Sequence, residues 1–357
     1  MSGDPNILFE QQGSIGMVTL DRPKALNALT LEMIEALHAK LEEWREDAAA
    51  QAVIIQGTGP KAFCAGGDVR AVYEAGCEGS DLTQRFFREE YKLNRAIKHF
   101  PKPFIALLDG ITMGGGMGVS VHGRYRVATE KTIMAMPETA IGFFPDVGGS
   151  YFLSRLQEPL GLYLALTGAR LDAADALYTG LATHYIASDR LVDTIRELAV
   201  LDIVEDEPWT WDAKISEILE RHSDVAGESG LAKDIRDISR HFGQNSVSAV
   251  LHSLREDSSE WASEHLEILQ KRSPTSLAIS FEELQRAANL DFDSCMRMEY
   301  RMSQACMAGH DFYEGIRAVL VDKDHAPKWS PATLDEVTRE VVQAHFHALG
   351  ESELVVA

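Results

Sequence analysis

The sequence predicts an α/β core followed by a mostly helical C-terminal region. Three observations carry this. Apolar strand-like runs alternate with helical periodicity through the first half. Strand-like runs nearly vanish after about residue 190. Two glycine-rich turns, Phe63–Arg70 (FCAGGDVR) and Gly110–Gly118 (GITMGGGMG), follow buried strands within the first half.

The elements follow in order. Ile7–Gln11 and Ile15–Leu20 read as two short strands around Gly13, a hairpin. Leu29–Arg45 reads as a helix: Thr30 suits an N-cap, and Met33, Ile34, Leu37, Leu41 and Trp44 fall at helical spacing. Ala52–Gln56 is a buried strand. Leu82–Phe100 is a helix that must end before Pro101 and Pro103. Phe104–Leu108 and Tyr125–Ala128 are further strands. Beyond them, Leu191–Val200, Lys214–His222, Ala249–Arg255, Trp261–Lys271 and Pro274–Ala288 are read as helices, with punctuation at Asp224–Gly230 and Gly243–Ser248. The expected division is a core over 1–190 and a helical region over 191–357. No tandem repeat is visible.

Composition narrows the classes of function. Hydrophobic residues make up 45% and charged residues 25%, as in ordinary globular proteins. A net charge of −21 argues against nucleic acid as a partner, because phosphate backbones demand a basic surface. A small anionic ligand remains compatible, since a few local cations and helix N-termini suffice for it. No apolar run of about 18 residues is present, so no membrane span is expected. The opening MSGDPNILFE lacks the pattern of a secretory signal or an Arg-rich transit peptide. With four cysteines and no CxxC spacing, a cytoplasmic location is the expectation. The histidines show no metal-ligand spacing, and no metal is expected.

Chemistry concentrates between Asp109 and Gly149. The glycine run opens what reads as a helix, whose N–H groups suit a developing oxyanion. Two acids, Glu138 and Asp146, each follow a proline, Pro137 and Pro145. Paired carboxyls can move protons or attack a carbonyl. By local pattern alone, Asp146 also fits an N-cap for the helix that follows. A dinucleotide turn fails, because Gly114-x-Gly116-x-x-Val119 lacks its third glycine. Glu90 projects from the apolar face of its helix, among Phe86, Phe87, Leu93 and Asn94. There it is either an edge acid paired with a cation or a buried carboxyl with a raised pKa.

RPKALNAL (Arg22–Leu29), FCAGGDVR, GITMGGGMG and MPETAIGFFPDVGG together resemble the crotonase, or enoyl-CoA hydratase/isomerase, superfamily, over roughly residues 5 to 185. The fuller spelling, with REEYKLN and PETAIGFFPDVGGSYFLSRL, is most similar to its 3-hydroxyisobutyryl-CoA hydrolase branch. The resemblance implies a crotonase-like ββα spiral core and an acyl-CoA substrate. CoA would be part of the substrate, with no separate cofactor. It implies an oxyanion hole from the Gly67 and Gly115 N–H groups, and CoA contacts from Lys24, Ala25, Leu26 and Ala65. Glu138 and Asp146 would be catalytic, and Glu90, Gly115, Glu138 and Asp146 would hold the substrate. Water-adding hydratases carry a second glutamate where this chain has Gly118. The resemblance to the hydrolase branch implies hydrolysis of a short hydroxyacyl-CoA, 3-hydroxyisobutyryl-CoA, in valine breakdown. The alternatives are hydratase or dienoyl-CoA isomerase activity, or a CoA-ligand binding protein without turnover. Members of the superfamily commonly form trimers, so a homo-oligomer is a further expectation.

Overall fold

Pairing of apolar strands builds the first half of the molecule. The computed structural model describes residues 6–157, 159–201 and 208–355. The opening stretch read for targeting signals begins outside them. Strands β1 (Ile7–Gln12) and β2 (Ile15–Leu20) form an antiparallel hairpin. They are followed by β3 (Ala52–Gly57), β4 (Ala62–Cys64), β5 (Phe104–Leu108), β6 (Ile111–Met113), β7 (Tyr125–Ala128), β8 (Ile133–Ala135) and β9 (His184–Tyr185). One sheet has the order β1-β2-β3-β5-β7-β9, parallel beyond the hairpin. A second, three-stranded sheet has the order β4-β6-β8.

Register explains the core. Met17 pairs with Ile54, Ile54 with Ile105, and Leu107 with Val127, so these side chains share one face. That face packs on Leu191 and Leu198 of one helix (Leu191–Ala199), and on Trp211, Ile215, Ile218 and Leu219 of the next (Pro208–His222). The alternate residues Val53, Ile55, Ala106 and Leu108 are buried as well. Parallel strands covered on both faces read as continuous apolar runs, which is why β3 and β5 were legible. The first helix spans Leu31–Glu46, and the Thr30 hydroxyl accepts the Met33 N–H at 3.2 Å. All five of its expected apolar positions are buried.

Two compact units result. The first comprises Met1–Gly67, Lys92–Met134 and Arg170–Ala232; the second comprises Asp68–Tyr91, Ala135–Ala169 and Lys233–Ala357. The change of composition near residue 190 marks where strands end among the described residues, after β9. The compact units interleave across that point, because residues 135–169 belong with the C-terminal helices.

The second unit is helical. Its central helix, Leu160–Thr167, is buried almost all round. Serine and aspartate punctuate the rest: Ser246, Ser259, Ser273 and Asp291 each accept a backbone N–H at the start of the helix they precede. Helices Val69–Cys77, Gly230–Phe242 and Phe292–Ala308 stand where the sequence reading placed none. The glycine run expected to open a helix forms only the four-residue turn Gly115–Gly118. No described helix is long and apolar enough to cross a membrane.

Candidate active site

Two glycine turns of the first unit come together at the ends of β4 and β6. Gly66 has φ +124°, and Gly114 has φ +49° with ψ −120°, backbone states that side chains rarely tolerate. A Cβ on Gly116 would lie 2.1 Å from the Cys64 carbonyl oxygen, and one on Gly66 would lie 3.9 Å from the Gly115 nitrogen. At Gly116 only glycine allows this approach; at Gly66 the contact is ordinary and the positive φ is what favours glycine. Gly115 is the first residue of its helical turn, so its N–H has no acceptor within that turn. Gly67 pairs with Leu29 in an isolated parallel bridge, and the Leu29 N–H donates to Gly66 O at 2.9 Å.

The segment Arg22–Leu29 fastens onto the same turn. The Ala65 N–H donates to Leu26 O at 3.0 Å, which brings together two of the expected CoA-contact residues. Leu26 and Asn27 are both left-handed, with φ +52° and +57°. The Asn27 amide holds that bend, donating to Thr58 O and Ala62 O and accepting the Arg22 N–H, each at 2.9 Å. Beside it lies a cleft of about 270 Å³ lined by Pro23, Lys24, Leu26 and, across from them in sequence, Lys61. Ala25 shares the turn but does not line the cleft. The sequence reading missed Asn27 and Lys61.

In the second unit the structure gathers acids. Glu138 opens the short 3-10 turn Glu138–Ile141 and is 6% exposed; Asp146 is 5% and Glu90 2% exposed. Glu90 is therefore the buried carboxyl, not the edge acid. The Tyr91 hydroxyl donates to Asp146 Oδ2 at 2.8 Å. Glu90 Oε1 and Glu138 Oε2 are buried without a hydrogen-bond partner. Burial holds Glu90 well above the usual carboxylate range, and the Asp146 charge adds to the effect. Glu138 is raised well above that range by burial, then by Asp146. Burial lifts Asp146 to about 7, against the Tyr91 hydrogen bond, which favours its charged form. Asp146 is not an N-cap: Val147 (φ +54°) and Gly148 (φ +83°) intervene, and Gly148 is the cap of the helix Gly149–Leu153.

Two further acids went unnoticed in the sequence. Glu299 is fully buried and accepts the N–H groups of Gly148 (2.7 Å) and Ser150 (3.1 Å) and the Ser150 hydroxyl. Burial lifts it to about 8. Glu283 is also fully buried, with neither oxygen partnered, and burial, then Glu299, Asp146 and Glu138, hold it well above the usual range. Each of these folded-state pKa values lies above its unfolded value. The native state therefore binds the proton more tightly, and stability falls as pH rises from the unfolded pKa towards the folded one. For Asp146 that window runs from 3.8 to about 7. Thermal unfolding followed between pH 5 and 8 should show Tm declining with pH. Asp146→Asn should flatten part of that decline and raise Tm at pH 8.

Comparison with known proteins gives the family. The Enoyl-CoA hydratase/isomerase family model matches residues 15–346. The chain is 49% identical over 353 residues to the 3-hydroxyisobutyryl-CoA hydrolase, mitochondrial, of Danio rerio, covering 98% of this chain and 91% of that protein. It is 48% identical over 349 residues to the protein of the same name from Gallus gallus, covering 98% and 90%. A crystal structure described as a carnitinyl-CoA dehydratase from Mycobacterium thermoresistibile superposes with a TM-score of 0.91 at 39% identity, over 99% of both chains. Both hydrolase relatives are mitochondrial by name, which overturns the cytoplasmic expectation. Glycine turns, buried acids, architecture and near-full-length similarity converge: the chain belongs to the enoyl-CoA hydratase/isomerase family.

Proposed function

We propose that this protein hydrolyses a short hydroxyacyl-CoA thioester, 3-hydroxyisobutyryl-CoA, to 3-hydroxyisobutyrate and CoA, a step of valine breakdown. The observation that carries the reading is the acid set. Glu138 and Asp146 are both buried, and the Asp146 charge opposes ionisation of Glu138; Gly118, where the resemblance to hydratases expects a second glutamate, has no side chain. The names of the near-full-length relatives support the same reaction and substrate.

The thioester oxygen is held by the Gly67 and Gly115 N–H groups, which stabilise the negative charge that grows on it. Glu138 delivers oxygen to the carbonyl carbon. It does so by direct attack, giving a mixed anhydride that water then opens, or by taking a proton from an attacking water. The C–S bond breaks, and the CoA thiolate leaves and takes up a proton. Asp146, held by Tyr91, positions the substrate hydroxyl and assists that proton transfer. Glu90 orients the 3-hydroxyl. Lys24, Leu26 and Ala65 hold the CoA end, with Lys24 and Lys61 attracting its phosphates into the cleft beside Pro23. CoA arrives as part of the substrate, and no other cofactor is invoked. Trapping with hydroxylamine reveals the anhydride, and oxygen-18 from water entering Glu138 in a single turnover reveals its opening at the Glu138 carboxyl carbon; neither signal arises in the general-base route.

One observation favours a second reading, water addition or removal on the acyl chain: the structural neighbour at 39% identity is described as a dehydratase. A paired assay decides. Release of free thiol from 3-hydroxyisobutyryl-CoA supports hydrolysis. Loss of the conjugated enoyl absorbance of an unsaturated acyl-CoA, without thiol release, supports the second reading and overturns the first.

A further inference from the structure

The backbone that carries Asp146 is strained. Val147 is β-branched yet left-handed, at φ +54°, and Gly148 follows at φ +83°. A β-branched residue in that region persists only where its surroundings over-determine it. The surroundings here are Glu299, from the helix Phe292–Ala308. Its carboxyl takes the N–H of Gly148 and both donors of Ser150, so each of its oxygens is used: Oε2 by Gly148 and Oε1 by Ser150. The next residue on that helix, Tyr300, sets its ring edge-on to Tyr91 at 6.4 Å, and Tyr91 is the donor to Asp146. The Arg88 guanidinium in turn donates to the Tyr300 hydroxyl at 2.8 Å. Consecutive residues of one helix thus brace Asp146 twice, through its backbone turn and through its hydrogen-bond donor.

Sequence position makes this unexpected. Glu299 lies about 150 residues beyond its partners, in the region whose role the family motifs leave open. A plug that merely filled space would be apolar. In its charged form the carboxyl meets three converging donors with two acceptor oxygens, whereas glutamine would turn an NH₂ group towards one set of them.

We propose that Glu299 is a positioning residue for the hydrolysis, fixing the Val147–Gly148 turn and through it the carboxyl of Asp146. The helix Phe292–Ala308 is then part of the catalytic apparatus. The inference rests on the role given to Asp146 above.

The test uses the full chain, with thiol release from 3-hydroxyisobutyryl-CoA and thermal unfolding measured on the same samples. Glu299→Gln should lower kcat about 100-fold, the scale of a roughly 1 Å misplacement of a catalytic group, with KM held. Ser150→Ala removes one donor of the clamp and should lower kcat by a smaller factor, again with KM held. Both variants keeping wild-type kcat, or losing only Tm while the folded fraction turns over normally, would overturn the inference. Should Glu299→Gln fail to fold, Ser150→Ala decides alone. Asp146→Asn is run beside them. If it leaves kcat intact, the underlying role of Asp146 fails. If it lowers kcat while the Glu299 and Ser150 variants do not, only the positioning role fails.

Discussion

Glu138→Gln is expected to lower kcat for thioester hydrolysis by about 10²–10⁴-fold, the range lost when a positioned acid or base is removed. The side chain is close to isosteric, so KM should change little and the fold should survive. Stability should rise at neutral pH. Glu138 is buried with one unpartnered oxygen, and burial together with Asp146 opposes its charge. A gain in Tm alongside a loss of kcat is the signature of a group kept for chemistry at the expense of stability. Steady-state kinetics with thermal unfolding on the same preparation reads both. An unchanged kcat would remove Glu138 from the mechanism.

Gly116→Ala is expected to have the second large effect, by a different route. The added Cβ would sit 2.1 Å from the Cys64 carbonyl oxygen and 2.9 Å from its carbon, both backbone atoms that cannot rotate away. The Gly115–Gly118 turn must therefore back off from the Cys64–Gly67 turn, and the two N–H groups assigned to the oxyanion hole separate. Loss of one oxyanion donor typically costs about 10²–10³ in kcat. Some stability should be lost as well, since both turns are packed against buried β4. The variant leaves every carboxyl in place, so it separates the oxyanion contribution from the acid chemistry. Wild-type kcat in a folded Gly116→Ala protein would contradict the assignment of Gly67 and Gly115.

Legibility in the sequence followed the range of the interactions. The helix Leu31–Glu46 could be read because its cap and its buried face lie within its own residues. Strands β3 and β5 could be read because burial on both faces leaves a continuous apolar run. The helix Phe292–Ala308 was hidden because its buried side includes Glu299 and Ser303, which break the apolar pattern. Asp146 misled as an N-cap because nothing local signals that a valine will adopt a left-handed φ. Gly67, Gly115 and Glu138 were singled out through motifs and Glu90 by its place on an apolar helix face, whereas Glu283 and Glu299 sit in stretches with no motif, and only folding brings them to Asp146. The four cysteines form no disulfide and carry no address, which is why they could not settle the compartment.

The central claim is that this chain breaks a thioester using Glu138 and Asp146. The most direct test is the initial rate of free-thiol release from 3-hydroxyisobutyryl-CoA by the wild type, Glu138→Gln and Asp146→Asn in one assay. Rapid release by the wild type and a loss of at least about 100-fold in each variant, with folding intact, are expected. Absence of thiol release by the wild type, or equal release by all three proteins, would contradict it.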